Sequence, residues 1–195
     1  MKTSDRQAPR DGALLGAARE YALRLLERPR TERQVRVALA RRGFDGAVQE
    51  QVVARLRELR LLDDVAYARA YIEQALVRRP MGRRALVVAL SRLGVSREHI
   101  GQALAQVEGG MVGATEGGGV TGGPGQAFSE GEEGGLEETA ARRAARLWLR
   151  RNRGRVDPRR LHGYLVRRGF EGDLAARTVR EVLGEEGGDA FPGGS

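Results

Sequence analysis

The sequence predicts an all-α protein of three tandem three-helix repeats in an elongated array. Three observations carry this expectation. One short signature occurs three times, apolar residues recur at helical spacing on both sides of each copy, and no stretch shows a strand pattern of comparable strength.

The signature reads Leu-x-Arg-x-Gly-apolar. It occurs at Leu39-Arg41-Gly43, at Leu90-Arg92-Gly94 and at Leu165-Arg167-Gly169, each followed by Phe44, Val95 or Phe170. Gly43 and Gly94 are 51 residues apart and Gly94 and Gly169 are 75 apart; removing the 28 residues 108–135 leaves 47 and restores the period. Physically this is a helix end. The leucine sits on an apolar face, and the arginine meets the negative end of the helix dipole in the last turn. The glycine takes a left-handed position past the helix, and the next apolar residue folds back onto it. Capping therefore accounts for one arginine per repeat. Arg42 and Arg168, the second bases of their Arg-Arg pairs, need another reason or are simply solvated.

The flanks complete each repeat. In the first, residues 13–62, an opening helix carries Leu14, Ala18, Tyr21, Ala22, Leu25 and Leu26 at helical spacing. Thr31 then starts a capping box with Gln34, and Asp45 starts a third helix with Val48, Val52, Leu56 and Leu59 on one face. In the second, residues 63–107, Asp63 and Asp64 suit a helix N-terminus ahead of Ala68, Tyr71, Ile72, Ala75 and Leu76. Pro80-Met81-Gly82 breaks the chain before Leu86, Leu90 and Leu93, and Ser96 caps the last helix through Ile100, Ala103, Leu104 and Val107. In the third, residues 136–184, Ala140, Ala144, Leu147 and Trp148 form the first face. Asp157 caps the next helix with Pro158 at its first position, and Leu161, Tyr164, Leu165, Leu174, Thr178, Val179 and Val182 follow inward. A repeat of this size is near the lower limit for a self-sufficient core, so neighbours are expected to lean on one another.

Between the second and third repeats, residues 108–135 hold twelve glycines, five glutamates and no base. Ordering such a segment costs about 1–2 kcal/mol per residue in backbone entropy with little apolar burial to offset it, so a flexible linker is expected. Residues 1–12 and 185–195 are expected to be disordered.

Charge is divided unevenly. Residues 17–107 carry 18 Arg against 10 acids, and 136–183 carry 13 Arg against 6. Lys2 is the only lysine, and the net charge is +8. Guanidinium offers a planar fork of donors suited to phosphate or carboxylate, although genomic base composition can also favour Arg codons.

Chemistry is poorly represented. The absence of cysteine removes disulfides, thiolate zinc sites and cysteine nucleophiles. His99 and His162 stand in different repeats with no second ligand at useful spacing, and Asp63 and Asp64, being adjacent, do not share a helix face. Gly117-Gly118-Gly119 and Gly122-Gly123 lack the lysine and following helix of a phosphate loop. No catalytic residue, metal site or cofactor is expected. No signal peptide is expected from the polar start, and no apolar run reaches the ~18 residues of a membrane span. A soluble cytoplasmic monomer is the simplest expectation.

Leu61-Leu62-Asp63-Asp64-Val65-Ala66-Tyr67-Ala68-Arg69-Ala70-Tyr71, then Gly82-Arg83-Arg84-Ala85-Leu86, then Leu90-Ser91-Arg92-Leu93-Gly94-Val95, resemble the central block of the bacterial RecX family. The resemblance covers roughly 17–107 and 136–183. It implies three tandem three-helix repeats and binding along the groove of the RecA nucleoprotein filament. The implied effect is lower recombinase and coprotease activity in DNA repair and the SOS response. This chain departs from the family in having Ala38 and Ala89 where an acidic residue is common, and in a longer 108–135 insertion. Joined to the charge pattern, the resemblance makes Arg42, Tyr67, Arg83, Arg84 and Arg168 the candidate contacts to RecA or DNA. The competing readings are a helical-repeat protein acting directly on single- or double-stranded DNA, with no aromatics interleaved among the arginines, and a scaffold for another acidic partner.

Overall fold

Glycine decides where the middle helix of each repeat ends and how closely it packs against the next. The computed structural model describes residues 8–113, 135–152 and 156–188, all of whose regular structure is helical. The first repeat contains α1 (Ala8–Leu25), α2 (Glu32–Arg41) and α3 (Gly46–Glu58). The second contains α4 (Asp64–Arg78), α5 (Arg83–Leu93) and α6 (Arg97–Gly113). The third contains α7 (Leu136–Arg151), α8 (Pro158–Arg167) and α9 (Gly172–Gly188). Helices α1, α6 and α9 run further than the sequence segmentation has them: α1 starts within the expected disordered start, α6 continues six residues into the expected linker, and α9 runs past 184. The rest of the expected linker, 114–134, and the remaining terminal segments 1–7 and 189–195 lie outside the described residues.

All three signature glycines are left-handed, with φ of +90° at Gly43, +94° at Gly94 and +85° at Gly169. The hydrogen bonds around them repeat. The amides of Gly43, Gly94 and Gly169 donate to Ala40, Ser91 and Val166, and those of Phe44, Val95 and Phe170 donate back to Leu39, Leu90 and Leu165. This double bond pattern satisfies helix-end carbonyls that would otherwise be orphaned. A fourth copy closes α3 with an arginine: Arg60 donates to Arg57 O and Leu61 to Leu56 O, with Arg60 at φ 53°.

The N-termini follow the sequence closely, with one correction. Thr31 accepts from Gln34 N while Gln34 Oε1 accepts from Thr31 N. Asp45, Ser96 and Asp157 accept from Val48 N, His99 N and Arg159 N. Asp63 alone caps α4, accepting from Val65 N and Ala66 N. Asp64, expected to cap the same helix, is its first residue, and its Oδ1 accepts instead from Glu32 N at 2.9 Å, capping α2.

The described residues divide into two compact units, those within 1–68 with 90–100 and those within 69–89 with 101–195. The second repeat is thus shared between them. In the first unit, α1, α2 and α3 pack around Ala18, Ala22, Val35, Leu39, Val52, Val53, Leu56 and Leu62. Leu14 and Leu59, expected inside, are 51% and 50% exposed; Leu59 lies beyond the last turn of α3, where its register is lost. In the second unit α7, α8 and α9 pack pairwise, burying Leu136, Ala144, Leu149, Leu161, Leu165, Phe170 and Val182.

Each unit contains the same contact between repeats. In the first, buried Thr31 donates its hydroxyl to Leu93 O at 2.7 Å, and Arg33 lies against Gly94 so closely that a Cβ there would meet the Arg33 stem at 2.3 Å. In the second, Gly82 N donates to Arg168 O at 2.9 Å, and a Cβ on Gly169 would fall 2.6 Å from Ala85 N. Thr31 and Gly82 directly precede α2 and α5, and Gly94 and Gly169 close the ends of α5 and α8. The start of the middle helix in one repeat therefore receives the glycine end of the middle helix in the next. Close backbone approach is a second reason for glycine at Gly94 and Gly169; Gly43, where an added Cβ would have nothing within 4 Å, has only the first.

Candidate functional site

Of the five residues singled out as contacts, two stack on rings. Arg42 Cζ lies 5.7 Å from the Tyr21 ring centre, and Arg168 Cζ lies 5.0 Å from that of Tyr164. Cation–π attraction thus supplies the reason that capping left open for these second bases. Arg168 also donates to Pro80 O at 3.3 Å. Arg83 pairs with Glu108 at 3.1 Å while its backbone amide donates to Glu137, and Arg84 reaches Glu171 at 3.4 Å. Arg83, Arg84 and Arg168 are therefore brought together in the second unit, at the start of α5 and the end of α8. Arg42 and half-buried Tyr67 belong to the first unit.

The structure also gathers arginines that the sequence pattern does not single out as contacts. In the first unit, Arg30, Arg33, Arg41 and Arg92 line a groove of about 430 Å³ together with Tyr21, Leu25, Val37 and Leu93, and among the described residues no carboxylate lines it. Spacing alone makes Arg41 and Arg92 dipole partners; that they converge on one groove depends on the packing of Gly94 against α2, which no spacing reveals. In the second unit, Trp148, Arg159, Arg160, Gly163 and Arg167 line a cavity of about 510 Å³.

A smaller cavity in the first unit, about 230 Å³, is of mixed charge, with Glu32, Arg57, Arg60, Asp63, Asp64 and His99 around it. Burial pushes the Asp64 carboxyl above its ordinary range, with the Glu32 amide pulling the other way. Beside it, Arg36 holds Glu32 at 3.0 Å and Glu50 at 2.7 Å, and the Arg36 guanidinium keeps the Glu50 carboxyl below its usual value. Among the described residues no group of three or more His, Cys, Asp or Glu side chains is placed to hold a metal ion, and no helix is long and apolar enough to cross a membrane.

Three-helix repeats whose middle helices end on left-handed glycines, with arginine-lined cavities on their surface, define a helical-repeat protein whose most prominent surface chemistry is guanidinium. Residues 18–56 match the family model for the first three-helix domain of RecX, and residues 63–104 match that for the second. The chain belongs to the RecX family. It is 35% identical over 184 residues to the regulatory protein RecX of Thermobifida fusca, covering 92% of this chain and 85% of that protein. To the regulatory protein RecX of Streptomyces coelicolor it is 36% identical over 188 residues, covering 94% and 85%. The crystal structure of RecX from Lactobacillus salivarius shares the fold with a TM-score of 0.67 at 16% identity, over 88% of this chain and 98% of that one. A second RecX crystal structure superposes with a TM-score of 0.64 at 20% identity, over 95% and 79%.

Proposed function

We propose that this protein binds the RecA nucleoprotein filament and modulates, mainly inhibits, its recombinase and coprotease activities during DNA repair. It acts in the cytoplasm as a binding protein without chemistry of its own. The observation that carries this reading is similarity to proteins named regulatory protein RecX along nearly the whole chain, 92% and 94% in two relatives. The physical character of the surface agrees with it. Basic repeats can follow an acidic, DNA-containing groove and gain affinity by linking several weak contacts.

Arg42, Tyr67, Arg83, Arg84 and Arg168 are the proposed contacts, joined by the groove arginines Arg30, Arg33, Arg41 and Arg92. The intramolecular ion pairs of Arg83 and Arg84 do not argue against this. Their side chains are 53% and 75% exposed, and surface pairs are worth only about 0–1 kcal/mol, so a phosphate or partner carboxylate can displace them.

A second reading, direct action on DNA, is favoured by the two arginine-lined cavities. Binding of labelled single-stranded DNA with and without RecA and ATP, over a salt series, separates the two. Binding that strengthens sharply when filaments form supports the first. Tight binding that is indifferent to RecA supports the second.

A further inference from the structure

The third repeat contains a tryptophan that its core does not use. The sequence sets Trp148 on the apolar face of its helix, yet the buried ridge of α7 runs through Ala140, Ala141, Ala144, Ala145 and Leu149. Trp148 is half-buried, rests against Tyr164 with ring centres 6.3 Å apart, and borders the 510 Å³ cavity. The opposite wall is one stripe of α8. Arg159, Gly163 and Arg167 follow one another at four-residue intervals, and Arg160 lies beside them.

Two features leave the cavity open and positively charged. Gly163 sits in the interior of α8, where glycine costs roughly 1 kcal/mol relative to alanine, and its φ is not left-handed, so no turn demands it. A Cβ at that position would approach Arg167 Nη1 to 3.3 Å, and a larger side chain would occupy the space between the two arginines. The arginines themselves are available. Among the described residues no carboxylate lies within ion-pair distance of Arg159 or Arg167, and Arg160 has only a 3.7 Å contact to Asp157 in its own helical turn.

We propose that this cavity holds one nucleotide of single-stranded DNA, the base stacked on Trp148 and the flanking phosphates bound by Arg159 and Arg167. An indole offers a flat face that any unpaired base can cover, and guanidinium groups pair with phosphate through a fork of donors. A peptide carboxylate would use the arginines and leave the indole idle; a duplex would present no free base face. The choice of DNA rests on the proposed function, whereas the stacking geometry does not.

Trp148 is the only tryptophan, so its fluorescence reports this site and no other. The full chain titrated with an oligothymidylate in the absence of RecA should show saturable quenching of its emission. Gly163→Leu, which fills the cavity while improving helix propensity, should remove the quenching and weaken binding by about tenfold, the worth of one stacked base. Gly163→Ala should weaken it less. Replacing Arg159 and Arg167 together by alanine should lower the slope of log affinity against log salt by about 1.4, from two phosphates at about 0.7 each. Oligonucleotide binding with unchanged emission, or full affinity in both Gly163 variants, would overturn the proposal. Quenching of equal strength by polyglutamate would do so in favour of an acidic protein ligand. Loss of the site with retained inhibition of RecA would leave the proposed function standing, so the two can fail separately.

Discussion

Adding a single methyl at Gly82 should destabilise the protein, although the backbone there makes no special demand for glycine. Gly82 has no left-handed φ, so alanine fits its conformation and should gain about 0.4–1 kcal/mol from a less entropic unfolded chain. Against this, the new Cβ would lie 2.2 Å from Gly169 O and 2.5 Å from Phe170 N, both backbone atoms that cannot rotate away. Overpacking of this kind costs about 1–3 kcal/mol, so the contact term outweighs the entropic gain. The signature glycines provide the comparison. Gly43→Ala should lose only the left-handed penalty of about 1–2 kcal/mol, because its Cβ would meet nothing. Gly169→Ala should lose that penalty and the clash with Ala85 together, and Gly94→Ala should fall between, since the Arg33 stem can partly yield. Urea unfolding of the full chain followed by circular dichroism gives the order. Gly82→Ala as stable as the parent, or Gly43→Ala as damaging as Gly169→Ala, would refute the role assigned to the contact between repeats.

Arg60 occupies a left-handed position at the end of α3 where the other three copies of the motif place glycine. Arg60→Gly should therefore raise the thermal midpoint by an amount equivalent to about 0.5–1 kcal/mol, the relief of left-handed strain less the added entropy of glycine; an unchanged or lower midpoint would contradict this. Asp64 predicts a pH effect. Its folded carboxyl titrates above the ordinary value of 3.8, so its contribution to stability is present at acid pH and is lost as pH rises through the folded value. Asp64→Asn keeps an oxygen for Glu32 N and should remove that component, leaving a stability profile flatter just above pH 3.8 than the parent's. An unaltered profile would show that Asp64 is not the group responsible.

Much of this fold is legible because it is written in local chemistry. A left-handed glycine, a capping box and a proline at the first helical position act within a few residues, and the helices they bound form where the spacing places them. What sequence cannot convey depends on distant partners. By position Asp64 suits a cap for its own helix, and only the packing of α4 near α2 gives its carboxylate to Glu32 N instead. Arg42 and Arg168 lack a purpose until Tyr21 and Tyr164 are brought beneath them. The aromatic platform absent from the arginine pattern is hidden for the same reason: Trp148 is eleven residues from Arg159 along the chain, and only the packing of α8 against α7 sets them around one cavity. Leu14 and Leu59 fail in the other direction, since periodicity marks a face but not where the core stops.

Recognition of the RecA filament is the central claim, and RecA-driven strand exchange measures it directly. With the protein added at levels far below RecA, exchange should fall, and replacing Arg30, Arg33, Arg41 and Arg92 by alanine should restore it while the helical signal is retained. Undiminished exchange at every protein level up to equality with RecA would contradict the claim.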